Sequence, residues 1–283
     1  MTYGPDPWLQ TSWDARAAGN FICGGTGAGL LIFTVLSGLR GMPAMVLWLV
    51  GLGLIAIGLN LVWLEIGRPW RALNVFRNPG TSWMTREALV ATVLLPVGLA
   101  AAFGFSALGA LAAVLALVFA YCQARMLHAS KGITAWRQPL TPPLIVLSGL
   151  VDGGGLFWLG AAWHGGGAPA LGWLFVALLL ARALLSRVWQ RRLAAQWAPR
   201  PVRALDAMTG PLWHWGGMLP LGIAVLALVV PIGASAALAA WALAGLLASA
   251  GGVWFKFCLV TRAAFNQGFS LAQLPVRGVR RTG

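Results

Sequence analysis

The chain has 283 residues, 59% of them hydrophobic and only 9% charged, with a formal net charge of +14. So apolar a composition excludes an ordinary water-soluble domain of this length and points to a membrane protein. A spanning helix needs about 20 mostly apolar residues to cross a hydrocarbon core of roughly 30 Å. Eight such runs, bounded by charge, proline or glycine, follow one another at 17–38, 43–64, 87–105, 107–130, 142–163, 168–186, 211–232 and 235–259. Strands of a membrane barrel would instead show short alternating segments of about 10 residues, unlike LGALAAVLALVFAY. The expected fold is all-α, a polytopic membrane protein with eight transmembrane helices forming one integral-membrane unit over 1–283. Spans one and five are both glycine-rich near their first half, which hints at two four-helix bundles.

Before span one, MTYGPDPWLQTSWDARAAGN carries Asp6 and Asp14 but no early Lys or Arg, the wrong flank for a cleavable signal peptide, so the first helix is expected to stay in the mature protein. Span one itself holds Asn20 and the run Gly24, Gly25, Gly27, Gly29, which suits close helix packing or the approach of a flat ring. Cys23, Cys122 and Cys258 all fall inside spans, form no CxxC pattern and are too few to hold an iron–sulfur cluster through four thiolates.

The connections at 39–42, 105–107, 164–168 and 233–235 hold a single basic residue, Arg40, whereas the other side carries nearly all the rest. By the positive-inside rule that basic side is cytoplasmic, with both termini there, in the cytoplasmic membrane of a bacterium. The charge is then mainly a topology signal. It also suits anionic membrane lipid or a docked acidic protein, and with no recognisable binding motif it does not call for nucleic acid.

Between spans two and three, the stretch 64–89, LEIGRPWRALNVFRNPGTSWMTREAL, gathers two of the six carboxylates and four basic residues. Gly67 and Pro69 read as a helix stop and restart, WRALNVFR as a short interfacial helix, and NPGTS as a turn. Thr81, Ser82 and Thr85 are possible caps for span three, with Glu87 in its first turn, where the helix dipole favours a carboxylate; Glu65 ends span two, where it does not. Two readings are open: Glu65 and Glu87 pair with Arg68 and Arg86 at the headgroups, or they line a headgroup-level ligand pocket.

EIGRP, the Trp/Arg-rich segment after it and TSWMTREAL together resemble the HLGRP…(S/T)SWLSRE signature of DmsC-like anchor subunits of DMSO-reductase-type molybdoenzymes, and NFICGGTGAGL resembles the first helix of the related NrfD-like group. The eight spans and overall length fit as well, so the resemblance covers essentially the whole chain. It implies a haem-free anchor without an iron–sulfur cluster of its own. Such an anchor binds menaquinone or ubiquinone beside a docked ferredoxin-like iron–sulfur subunit, and serves a molybdopterin catalytic subunit. Carried over by position, the quinol-site carboxylate becomes Glu87 and the arginine of GRP becomes Arg68. Glu65 replaces the family's histidine, exchanging a group that donates in both protonation states for one that donates only when protonated, which leaves the direction of electron flow open. Asn20 keeps a polar group on the first helix. Independently of the family, quinone reduction takes two electrons and two protons, so a site needs polar donors, a titratable group and an apolar slot.

In span five, Asp152 of SGLVDGGGLFW lies about ten residues deep, where an ionised carboxylate costs at least about 2.5 kcal/mol, so it must face the interior. Arg125, Arg182 and Lys256 fall nearer the basic side and are candidates for a polar track from Asp152, either a proton pathway or a buried charge pair. His128 and His214 fall toward that side and His164 toward the other, a poor arrangement for bis-histidine haem ligation. The stretch 189–210, WQRRLAAQWAPRPVRALDAMTG, is expected to be a long interfacial loop available for docking. Two other functions remain in view, an ion- or proton-coupled transporter, suggested by Asp152 and the glycine-broken helix, and a purely structural anchor. The terminal substrate belongs to another chain; cytoplasmic docking makes intracellular substrates such as coenzyme A thioesters plausible.

Overall fold

Capping side chains, proline and left-handed glycine mark several of the long helix ends, Asp14 and Ser82 by capping, Pro142 and Pro169 at helix starts and Gly38 at a helix end. In a computed structural model, which describes residues 3–65, 69–195 and 198–269, eight helices are long and apolar enough to cross a membrane. They are α1 (Ala15–Ser37), α2 (Gly41–Glu65), α3 (Trp83–Ala102), α4 (Gly109–Ala129), α5 (Thr141–Leu159), α6 (Pro169–Ala194), α7 (Pro199–Val229) and α8 (Ala234–Thr261). The expected all-α polytopic architecture is thus observed.

Asp14 caps α1 by accepting from the Arg16 backbone N–H at 2.7 Å, and the Arg16 side chain that also bonds it holds this carboxyl below the usual carboxylate range. Of the three possible caps of α3, Ser82 is the one used, accepting from Thr85 N at 3.3 Å. Pro142, Pro143 and Pro169 sit in first turns, where a missing N–H costs nothing. The connection expected to be an interfacial helix is a 3-10 helix, Pro69–Arg77, with Leu73 and Phe76 exposed, as a segment resting at a membrane surface requires.

The stretch 189–210 is not a loop. α6 runs on to Ala194 and α7 begins at Pro199, so only a few residues connect them. The error has a physical reason. Arg200, Arg203 and Asp206 lie on the exposed side of an amphipathic turn whose other side buries Pro201, Leu205, Met208 and Leu212, and a charged helix end reads as a loop when only mean hydropathy is followed. Further along α7, His214–Met218 forms a π-helical turn. Pro220 has no N–H to give to the Gly216 carbonyl four residues back, and that carbonyl turns to another partner described below.

α1 and α5 form the seam of the molecule: 72% and 67% of their apolar windows are buried, against at most 44% for the other spans. One apolar core lies among α1 to α4, around Leu31, Trp48, Leu52, Leu94 and Phe119. A second lies among α5 to α8, with Phe33 of α1 inserted between Phe157 and Phe175. Backbones approach closely at the seam, where a methyl group on Gly27 would stand 2.5 Å from the Gly51 carbonyl and one on Gly29 would collide with that of Gly149.

Both ends of the described chain meet on one face, called the terminal face below. Leu9 bridges Phe265, Ile133 bridges Asn266, and Trp136 Nε1 donates to the Leu259 carbonyl at 2.8 Å. This cap covers the ends of α1, α4, α5 and α8.

Candidate functional site

Near the terminal face three helices bring uncharged amides onto one carboxylate. Glu87, the fifth residue of α3, has turned from the helix start into the protein and is 3% exposed. Its Oε1 accepts from Asn20 Nδ2 of α1 at 3.2 Å and from Gln123 Nε2 of α4 at 3.0 Å. Gln123 Nε2 also reaches the Asn20 backbone carbonyl at 3.0 Å and Oδ1 at 3.3 Å, so the three side chains brace one another. Both bonds to Glu87 end on Oε1 and neither uses Oε2. Glycine makes the room: a methyl group on Gly24 would collide with the Gln123 amide, and one on Gly58 would press on Asn20 Oδ1 at 3.1 Å.

In front of Asn20 lies a cavity of about 150 Å³ lined by Trp13, Ala17, Asn20, Phe21, Val62, Glu65, Met84 and Met126. Its walls are aromatic and aliphatic apart from two polar groups, the buried Asn20 amide and the half-buried Glu65 carboxyl. At this size it is smaller than the roughly 300–1,000 Å³ of drug-sized sites, and suits a ring-sized group with the remainder of a ligand outside. Arg16 Nη1 donates to the Leu64 carbonyl at 3.2 Å, pinning the end of α2 beside the start of α1 and so fixing Glu65 at the cavity edge.

The headgroup pairing of Glu87 with Arg86 does not form. Arg86 donates to the carbonyls of Pro79 at 2.8 Å and Gly80 at 2.7 Å and lies 4.2 Å over the Trp83 ring. Arg125 covers the same ring at 4.9 Å. Thr85 Oγ1 donates to the Val75 carbonyl, tying the 3-10 helix to α3. Arg68 lies outside the described residues.

A second polar cluster stands deeper. Asp152 on α5 is fully buried, with Arg182 Nη1 of α6 at 2.7 Å from Oδ1 and Lys256 Nζ of α8 at 2.9 Å from Oδ2. Arg182 Nη2 donates to the Gly216 carbonyl at 2.5 Å, the one released by Pro220, and to the Ala248 carbonyl at 3.0 Å. Ser249 Oγ donates to the Asp152 carbonyl at 2.8 Å. Four helices are therefore tied to one carboxylate. A methyl group on Gly252 would fall on the Asp152 carboxyl, which explains a glycine at that point of α8.

Asn20, Glu87 and Glu65 thus gather at one end of α1, the first two in direct contact and the third across the cavity. Asp152 forms a separate centre whose partners are Arg182 and Lys256; Arg125 is not among them and sits in the Trp83 stack. Gln123 was missed in the sequence. The only signal was an uncharged amide seven residues from the end of an apolar run, where nothing but a buried partner would justify it. His164 is buried near the opposite face, its ring nitrogens 3.1 and 2.9 Å from the carbonyls of Gly166 and Phe157. Among the described residues no group of three or more His, Cys, Asp or Glu could hold a metal ion. Cys122 and Cys258 are buried and Cys23 half-buried, all three as free thiols. Compared with protein-family models and with curated proteins, the sequence gives no match.

Proposed function

We propose that the chain is a membrane anchor that binds quinone or quinol at its terminal face and exchanges electrons with an iron–sulfur subunit of a molybdopterin oxidoreductase complex. The observation that carries this reading is the Asn20–Glu87–Gln123 cluster standing directly behind a small apolar cavity. A quinone ring needs a hydrogen-bond donor at its oxygen, a group that exchanges protons and an apolar surround. Asn20 offers the donor at the cavity wall, Glu87 is one hydrogen bond behind it, and Glu65 gives a second carboxyl at the edge. The exposed apolar residues of the 3-10 helix beside the cavity would guide a lipid-soluble ligand in from the bilayer, and the Arg86–Trp83–Arg125 stack offers a basic surface next to it for an acidic partner. Positive-inside asymmetry makes this face cytoplasmic.

A proton-coupled transporter is favoured by one observation, the buried Asp152 centre. The aromatic layer of Phe33, Phe157, Trp158, Phe175 and Trp241 between that centre and the opposite face weighs against it.

The test is Glu87→Gln in the assembled complex. Quinone-dependent turnover is expected to fall about tenfold or more while artificial-dye activity and complex assembly are unchanged, because the change removes a titratable group and keeps its shape. Normal quinone turnover in a Glu65/Glu87 double substitution would reduce the region to a charged connector.

A further inference from the structure

The two buried clusters face one point of α1. The position a methyl group would take on Gly25 is 3.3 Å from Lys256 Nζ, 3.5 Å from the Gly149 Cα and 3.9 Å from Gln123 Oε1, so the notch left by one missing side chain lies between Lys256 and the amide that holds Glu87. Lys256 is also the loosest member of its cluster. Its ammonium has three N–H donors, yet it makes one long hydrogen bond, 3.4 Å to the Ile22 carbonyl, and its contact with Asp152 Oδ2 is close in distance but not aligned as a hydrogen bond. Arg182, by contrast, is fixed by an aligned ion pair and two carbonyls.

Charge counting then joins the clusters. Asp152, Arg182 and Lys256 alone carry one excess positive charge in an interior where unbalanced charge is costly. Counted with an ionised Glu87, the four groups sum to zero. They also sum to zero when one proton moves from Lys256 to Glu87, leaving a neutral amine, a neutral carboxylic acid and the Asp152–Arg182 pair. Either arrangement keeps the interior neutral, whereas a change at one group alone does not.

We propose that Lys256 and Glu87 share one exchangeable proton: in one state the Lys256 ammonium stands opposite an ionised Glu87, and in the other the proton has crossed the Gly25 notch, leaving a neutral amine and a carboxylic acid. Only a nitrogen–hydrogen bond breaks and an oxygen–hydrogen bond forms, and no oxidant or reductant is needed. The other groups within the field of Lys256 are Asp152 on α5, Arg182 on α6 and the Cys23 thiol on α1, while α4 contributes the Gln123 amide. Lys256 acts through Glu87 and is a positioning and proton-supplying residue rather than one that touches the ligand. That it serves quinone chemistry rests on the function proposed above; the shared proton itself does not.

The experiment is infrared titration of the purified full-length chain in lipid vesicles, with the Glu87 carboxylic C=O band assigned by its loss in Glu87→Gln. In Lys256→Met, which removes the positive partner, the band is expected to grow at neutral pH. In Lys256→Arg, which keeps the charge but cannot release a proton, it is expected to vanish there, and the retained pair with Asp152 keeps this variant insertable if Lys256→Met fails to fold. A Glu87 band that titrates identically in wild type and Lys256→Arg overturns the proposal. In the assembled complex, Lys256→Arg should lower quinone-dependent turnover about tenfold with dye activity unchanged, and Gly25→Ala, which keeps every ionisable group but fills the notch, should fall between it and wild type. Wild-type turnover in both removes the role in turnover. If wild type itself shows no quinone turnover while the infrared coupling holds, the quinone reading fails and the shared proton stands.

Discussion

Glu87 and Asp152 are both buried carboxylates near the seam of the molecule, and they are held in opposite ways. Asp152 faces two cations, from α6 and α8, and through Arg182 is tied to α7 as well; Glu87 faces two amides and no cation among the described residues. The first environment fixes a charge and locks helices around it, whereas the second leaves the carboxyl free to change its proton without breaking an ion pair. The contrast separates architecture from chemistry and can be broken by substitution. Asp152→Asn leaves Arg182 and Lys256 buried with no carboxylate, so it should have the largest effect on stability, about 3–5 kcal/mol, read as lost thermal stability of the detergent-solubilised protein and low membrane yield. An Asp152→Asn protein as stable as wild type would show that the centre is not structural at all.

Gln123 sharpens the other side of the comparison. Its Nε2 reaches the Asn20 carbonyl, Asn20 Oδ1 and Glu87 Oε1, so Gln123→Leu strips one of the two amides from a buried carboxyl at an expected cost of about 1–3 kcal/mol. Removing both partners should cost less than removing one. Gln123→Leu combined with Glu87→Leu is therefore expected to be more stable than Gln123→Leu alone, by thermal unfolding of the four members of the cycle. Additive losses would mean that Gln123 supports the helix packing and not the carboxyl.

Why the sequence disclosed one centre more fully than the other follows from the same difference. A carboxylate ten residues into an apolar run must find cations, and Arg182 and Lys256 stood out because so few charges lie in the spans; Arg125, equally conspicuous, went instead to the Trp83 ring, since nothing in a linear pattern tells which side of α4 faces which neighbour. Glu87 was legible as a site residue but not in its contacts. It was expected in the first turn of its helix, answering the dipole or Arg86, whereas α3 begins early enough at Trp83 to carry it inward to Asn20 and Gln123. An uncharged glutamine in a hydrophobic run carries no such warning. Likewise the eight spans were readable from apolar length alone, while the start of α7 was hidden because its first turns are amphipathic. The Gly25 notch lay in plain view as one glycine of four, yet only packing distinguishes Gly27 and Gly29, which meet backbone or apolar groups, from Gly24, which borders the Gln123 amide, and Gly25, which borders Lys256 and Gln123 as well as the Gly149 backbone.

The smallest effect is expected at Glu65, the third carboxyl of the region. It stands at the cavity edge, half-buried, and no ion pair within 4 Å joins it to a described residue, so Glu65→Gln should change thermal stability by no more than about 0.5 kcal/mol. It lines the cavity beside Asn20 but, among the described residues, makes no hydrogen bond to the Asn20–Gln123 brace, which limits its part in the chemistry. On the proposed reading, a group at the rim would meet the ligand on entry, whereas Glu87 stands behind the polar wall that the ring would touch. Glu65→Gln is accordingly expected to raise the quinone KM a few-fold with kcat within about twofold of wild type, the pattern of weakened binding, while Glu87→Gln lowers kcat. Should the two substitutions exchange these signatures, Glu65 would be the acid of the proposed reaction, and the buried Glu87 would join Asp152 as a structural carboxylate.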